Sequence, residues 1–320
     1  MSNCDGSETS MVNYTEQTIE KANEILNKGI AFQFMIKTWE ESYATVNDDY
    51  SLGGAVLCSA VSTLVSNTKG IHVKASGASG SGKSEGILQM LRLMPDGKVH
   101  DSSLTAKSLY YNKFESGTIL YCDDIDPKKD DVYPVFKQAA THYQSKTQHT
   151  TAKGTLEINP RMAWMMSAVK DFEDEQLASR VISIKVANSP ERNEAIHKKQ
   201  VQNENIKQQR KISSCVLVCQ CIMDILIKGG LYDVRIPYSE AIACKSGDQH
   251  REFPKFQDII RCMTVLNSKQ REQVDGCYIA GLEDFELARE LYDLIKNDNV
   301  YSLDEVAAEQ AIAEWKQNNQ

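Results

Sequence analysis

Residues 71–84 read Ile-His-Val-Lys-Ala-Ser-Gly-Ala-Ser-Gly-Ser-Gly-Lys-Ser, and this stretch decides the fold. Ile71–Ala75 is a short run with the length of a buried strand. Gly77-Ala78-Ser79-Gly80-Ser81-Gly82-Lys83-Ser84 follows it and fits the pattern G-x-x-x-x-G-K-[ST]. Lys83–Met94 then has helical character and is stopped by Pro95. A strand, a glycine loop and a helix in that order bring backbone N–H groups around an anion. Glycines permit the close approach that a Cβ would block. The loop N–H groups and the helix N-terminus supply positive potential. Within that pattern Lys83 bridges the outer phosphates of a nucleotide and the Ser84 hydroxyl is a Mg²⁺ ligand, so the expected ligands are ATP and Mg²⁺.

Working outward, three more bounded apolar runs read as strands: Thr118–Cys122, Met162–Met166 and Val181–Val186. Helical segments separate them, which predicts an α/β fold with a parallel sheet flanked by helices. The first of these runs leads into Asp123 and Asp124. Adjacent carboxylates repel unless a cation neutralises them. Asp123 is therefore the candidate for the Mg²⁺ shell and Asp124 for orienting and polarising an attacking water. Asp126 is assigned to the turn before Pro127. Between Asp124 and the next strand, Val132–Tyr143 reads as a helix and Gln148–Ile158 as a β-hairpin with Lys153-Gly154 at its turn.

Before the loop, helices are expected over residues 16–28, 31–43 and 52–65. After Ala187 the chain turns polar and basic, which reads as a solvated helix or connector. Apolar residues at helical spacing then recur: Phe256, Ile259, Ile260, Met263 and Leu266, and later Phe285, Ala288, Leu291, Tyr292 and Ile295. The expected organisation is a helical segment over 1–49, the ATPase core over 50–211, an all-helical lid over 212–300, and over 301–320 a tail or the start of another domain.

Composition narrows the function classes. The 320 residues carry a formal net charge of −8, so any nucleic-acid contact must rest on a few local side chains. The nine cysteines are irregularly spaced, which argues against a disulfide framework. Cys215, Cys219 and Cys221 lie in the apolar run 215–227 and read as core rather than as zinc ligands. The first ten residues do not have the character of a secretion signal, and no apolar run reaches the ~20 residues of a membrane span. A cytoplasmic setting without membrane contact is expected.

The glycine loop and the paired acids resemble those of P-loop nucleoside triphosphatases. The later segments resemble, in order and spacing, AAA+ ATPases and superfamily 3 helicases, including minichromosome-maintenance-like proteins and the primase–helicases of phages and mobile elements. Several roles are implied by that resemblance. Ser167, ending the strand expected beside the loop strand, matches the sensor 1 position, where Asn is more usual. Arg180, in Asp174-Glu-Gln-Leu-Ala-Ser-Arg180, matches an arginine finger acting in a neighbouring subunit's site; the plainer reading is a helix-capping arginine. Lys153 matches the DNA-holding tip of a channel hairpin, with Lys146 and His149 as weaker candidates. Arg251 matches the sensor 2 arginine of the lid, with Arg261 second. The resemblance implies a homo-hexameric ring that moves single-stranded DNA with ATP, in a prokaryotic cell or one hosting a phage or mobile element. A helicase-loader or clamp-loader-like switch, a small-molecule kinase, and a DNA-binding scaffold with a vestigial ATPase are the competing readings.

Overall fold

The computed structural model describes residues 14–43, 49–101, 112, 114–123, 132–151, 154–169, 175–205, 212–245 and 249–319. Three helices come first: α1 (Glu16–Lys28), α2 (Ala31–Ser42) and α3 (Tyr50–Ser62). The Thr15 hydroxyl caps α1 by accepting the Thr18 N–H at 3.2 Å. Helix α3 is apolar on every side, and Leu52–Val61 are buried throughout, so it serves as a central core helix.

The chain then alternates between strand and helix. It passes through β1 (Val73–Ser76), α4 (Lys83–Leu91), β2 (Val99–His100), β3 (Ile119–Cys122), α5 (Val132–Thr141), β4 (Thr147–Thr151) and β5 (Gly154–Ile158). It continues through β6 (Ala163–Ala168), α6 (Glu175–Ala178), β7 (Ile182–Lys185), α7 (Pro190–Asn205) and α8 (Ser214–Lys228). Five strands form one sheet in the order β2-β3-β6-β1-β7, every pair parallel. β1, β3 and β6 are buried along their whole length, as their continuous apolar runs require when helices cover both faces. The α/β expectation holds. The sheet order sets the site: β6 lies between β1 and β3, and the register puts Ala75 beside Ser167 and Cys122 beside Met166. The ends of three strands thus meet at the glycine loop.

β4 and β5 stand outside this sheet as an antiparallel ribbon of their own. α1 and α2 pack against α8, where Cys219 and Cys221 are buried. Among the described residues no helix is long and apolar enough to cross a membrane.

The C-terminal region departs from the all-helical expectation. Helices α9 (Gln249–Leu266), α10 (Leu282–Lys296) and α11 (Glu305–Asn318) are present, but short strands are interleaved with them. β8 (Val234–Arg235), β10 (Gln273–Val274) and β11 (Cys277–Ile279) form one small sheet. β9 (Ile242–Cys244) and β12 (Tyr301–Leu303) form another. Strands of two or three residues are too short to show an alternating pattern. One signal was readable, since Asp275-Gly276 has both residues at positive φ, +50° and +74°, the requirement of a tight hairpin turn. The helical faces are as expected: Phe256, Ile259, Ile260, Met263 and Leu266 are buried, as are Phe285, Ala288, Leu291 and Tyr292.

Candidate functional site

β1 brings the chain to Gly77 and α4 takes it away from Lys83. Two glycines show why the loop needs them. A Cβ on Gly77 would lie 2.4 Å from the Val186 carbonyl oxygen, and Gly82 turns into α4 at φ +86°. Lys83 is largely buried and its Nζ donates to the Ala78 carbonyl at 3.1 Å, so its charge lies across the loop. Ser81 Oγ is buried with no hydrogen-bond partner among the described residues. A cradle of glycines with an unsatisfied hydroxyl at its floor and a lysine folded over it suits an anionic group.

Asp123 follows the last residue of β3 and is exposed. Three hydroxyls converge on its Oδ1. Ser84 donates at 2.8 Å, Tyr121 at 2.9 Å, and Ser167 makes a short bond to the same atom. Ser84 Oγ also lies 3.3 Å from Ser167 Oγ. A hydroxyl has one proton, so the shorter contact to the carboxylate takes it. Burial and the neighbouring carboxylate hold the Tyr121 phenol well above its ordinary range, so it remains a donor. Ser84 and Asp123 present hard oxygens side by side at the start of a helix, and they fit a Mg²⁺ shell. The hydroxyls can rotate to turn lone pairs toward a cation.

A cavity of about 1110 Å³ opens beside the loop, with Tyr43, Lys83, Ser84, Leu88, Ile196 and Val216 among its walls. Small-molecule pockets usually occupy ~300–1,000 Å³, so a nucleotide has room here.

Some site residues escaped the sequence reading. Tyr121 was readable, because it sits two residues before Asp123 and so on the same side of its strand. Trp39 and Tyr43 carry no motif. Trp39 Nε1 donates to the Gly86 carbonyl at 2.9 Å and Tyr43 Oη to the Gly82 carbonyl at 3.0 Å. The two rings are stacked, with centroids 5.1 Å apart. The end of α2 therefore clasps the loop-to-helix turn.

The remaining candidates lie elsewhere. Arg180 follows α6, with Nε and Nη2 at 3.3 and 3.2 Å from Thr141 Oγ1 and Nη1 on the Gln176 carbonyl. Arg251 is exposed in the first turn of α9, and Arg261 pairs with Asp258 at 2.7 Å. Lys146 pairs with Glu157 at 2.8 Å at the base of the ribbon, and His149 sits in β4 opposite Leu156. Asp124, Asp126 and Lys153 lie outside the described residues.

A comparison with curated proteins returns no match. The family described as MTBMA_p00010 P-loop domain matches residues 16–229, which run from the first residue of α1 to just past the end of α8. That span holds the loop, all five strands of the parallel sheet and the clasp from α2. The chain belongs to this family of P-loop domains, a nucleotide-binding fold, and its sheet and loop fit a P-loop nucleoside triphosphatase.

Proposed function

We propose that this protein is an ATP-driven DNA translocase or helicase, or a replication-initiator motor, working as an oligomeric ring. The observation that carries the reading is the β4–β5 ribbon. It leaves the chain just before β6, the strand that carries Ser167 to Asp123, so one short connection joins the ribbon to the site. Gln148, Thr150, Thr155 and Glu157 are all exposed on it. The ribbon is held at its base, where Gln138 of α5 donates to the Gln148 carbonyl at 2.6 Å and Ile158 is buried, while these polar side chains face solvent. A ribbon in this place suits contact with a strand of DNA in a channel, and the sequence sets Lys153 between its two strands. One lysine per subunit, repeated around a ring, would concentrate positive charge that an acidic protein otherwise lacks.

In this reading Lys83 and the loop N–H groups hold the outer phosphates. Ser84 and Asp123 would hold Mg²⁺, which would supply neutralising charge for a transferred phosphoryl group. Asp124 orients the water and Ser167 fixes Asp123. Arg180 serves a neighbouring subunit, and rotation of its guanidinium away from Thr141 would be needed for that. Position beside β1 and contact with Asp123 support the sensor assignment of Ser167.

The test is steady-state ATP hydrolysis with and without single-stranded DNA over a range of protein concentrations. A rate that rises with both, and whose DNA stimulation is lost in Lys153→Ala, is expected. A rate indifferent to DNA would move the assignment to a loader-like switch acting on a protein partner.

A further inference from the structure

Helix α7 is polar along most of its length, yet Arg192 within it is 1% exposed. Its guanidinium forms an ion pair with Asp49, itself 3% exposed, through Nη2. Nη1 donates to Tyr43 Oη at 2.9 Å. Tyr43 Oη in turn donates to the Gly82 carbonyl, the same oxygen that accepts the first helical bond of α4 from the Gly86 N–H at 2.8 Å. The chain of donors thus runs from α7 through Tyr43 into the turn that aims Lys83 and Ser84. Bonds in such a chain polarise one another in a low-dielectric setting. Burial pushes the Tyr43 phenol up to about 12, which keeps it a donor at neutral pH.

A buried ion pair is a weak source of stability, because desolvation offsets much of the attraction. This one is not saturated either, since Arg192 Nε is buried without a hydrogen-bond partner among the described residues. Its geometry is better suited to fixing Tyr43. Ile196, one turn further along the same face of α7, lines the cavity beside the loop. The helix face that meets the cavity is therefore the face tied to the phosphate loop.

We propose that Arg192 is a positioning residue for the phosphate loop, acting through Tyr43 on Gly82, so that the placement of α7 sets how tightly the loop grips a nucleotide. The inference rests on the nucleotide-binding reading of the loop. Tyr43→Phe removes both hydroxyl contacts while leaving the Arg192–Asp49 pair intact. Arg192→Lys keeps a cation for Asp49 but cannot span both partners. A lost hydrogen bond of this kind corresponds to roughly a three- to tenfold change in affinity.

The experiment measures ATP turnover, binding of a fluorescent ATP analogue and thermal unfolding for the wild type, Tyr43→Phe, Arg192→Lys and the double variant. Each single variant is expected to raise KM and the dissociation constant about three- to tenfold, with kcat within about twofold; the unfolding midpoint of Tyr43→Phe should fall modestly, because the buried Arg192 Nη1 loses its acceptor. A folding defect would instead lower the active fraction, and hence kcat, at unchanged KM. The double variant should be no worse than the worse single one, because both act on one chain. Wild-type affinity in Tyr43→Phe, or additive losses in the double variant, would overturn the positioning role. Wild-type protein that binds no nucleotide at all would instead sink the reading of the loop itself.

Discussion

Asp123 and Asp284 are each ringed by hydrogen-bond donors, one at the phosphate loop and one in the C-terminal region. Asp284 is fully buried, and its partners divide both oxygens. Arg271 reaches Oδ2 at 2.7 Å and Oδ1 at 2.9 Å, Asn267 donates to Oδ1 at 2.8 Å, and Thr264 and the Gly281 N–H donate to Oδ2 at 3.1 and 2.9 Å. Asp123 is exposed, and the hydroxyls of Ser84, Ser167 and Tyr121 converge on its Oδ1. A guanidinium is permanently charged and has no lone pair to offer. A hydroxyl can turn from donating a proton to offering an oxygen. The first arrangement fixes three segments to one carboxylate for good. The second keeps a carboxylate oriented while leaving its surroundings able to accept a cation.

The largest effects should fall on turnover at Asp123. Lys83→Ala and Asp123→Asn are each expected to lower ATP turnover by about 10²–10³-fold, the scale of removing a preorganised electrostatic partner. Their unfolding midpoints should stay near the wild type, because both groups sit at the edge of the core. Hydrolysis above a tenth of the wild-type rate in either variant would mean that the catalytic assignment is wrong.

Asp284→Ala should reverse that pattern. It leaves the Arg271 guanidinium, which is 13% exposed, with the more distant and exposed Glu283 at 3.3 Å, and removes the cap on the Gly281 N–H. Breaking a buried ion pair from one side typically costs about 3–5 kcal/mol. Denaturant titration is expected to show that loss, while KM for ATP in the folded protein stays unchanged. A stable Asp284→Ala protein with a weakened nucleotide site would erase the distinction between the two carboxylates.

His72 offers a third way for a polar group to live in this core. It is 2% exposed just before β1, and its Nδ1 accepts the Trp164 N–H at 3.3 Å. Burial lowers its pKa from 6.5 to about 3. The unfolded chain therefore takes up a proton below about pH 6.5 that the folded chain refuses, so stability falls as pH drops and the full contribution is present only above 6.5. The expected loss by pH 5 is about 2 kcal/mol. Denaturant melts between pH 7 and 5 should show this slope, and His72→Gln, which cannot titrate, should flatten it. An unchanged slope in that variant would place the acid sensitivity elsewhere.

These groups also show what a sequence can disclose. Gly77–Ser84 is legible because phosphate chemistry restricts every fixed position, and Asp123 because an apolar run ends in acids. Ser167 became a candidate through its place at an expected strand end; β6 runs one residue past it, to Ala168, and sets Ser167 beside Ala75. Tyr43 and Arg192 were not legible. Nothing local distinguishes a tyrosine ending a helix, or one arginine in a polar helix, from its solvated neighbours. Their importance arises from contacts across 39 and 149 residues of chain. β2 and the small C-terminal strands were missed for a different reason, since two or three residues cannot display a period. Asp275-Gly276, a turn pair, is the one local sign of the hairpin between β10 and β11.

The smallest effects make the sharpest comparison, because one hydroxyl can be deleted from each carboxylate. Ser167→Ala removes a donor to Asp123, and Thr264→Val removes a donor to Asp284 at nearly constant shape. Each lost bond is worth about 0.5–1.5 kcal/mol. At Asp123 that energy should appear as a fall in kcat of roughly three- to tenfold with stability intact, because the carboxylate is less well aimed but stays hydrated. At Asp284 it should appear as lost stability with kcat and KM intact, because a buried carboxylate has no water to replace the hydroxyl. Kinetics and denaturant melts on the two variants, run side by side, decide the matter. If Ser167→Ala destabilises the fold as much as Thr264→Val and leaves kcat unchanged, then the hydroxyls around Asp123 are structural, and the contrast between the two carboxylates is one of exposure alone.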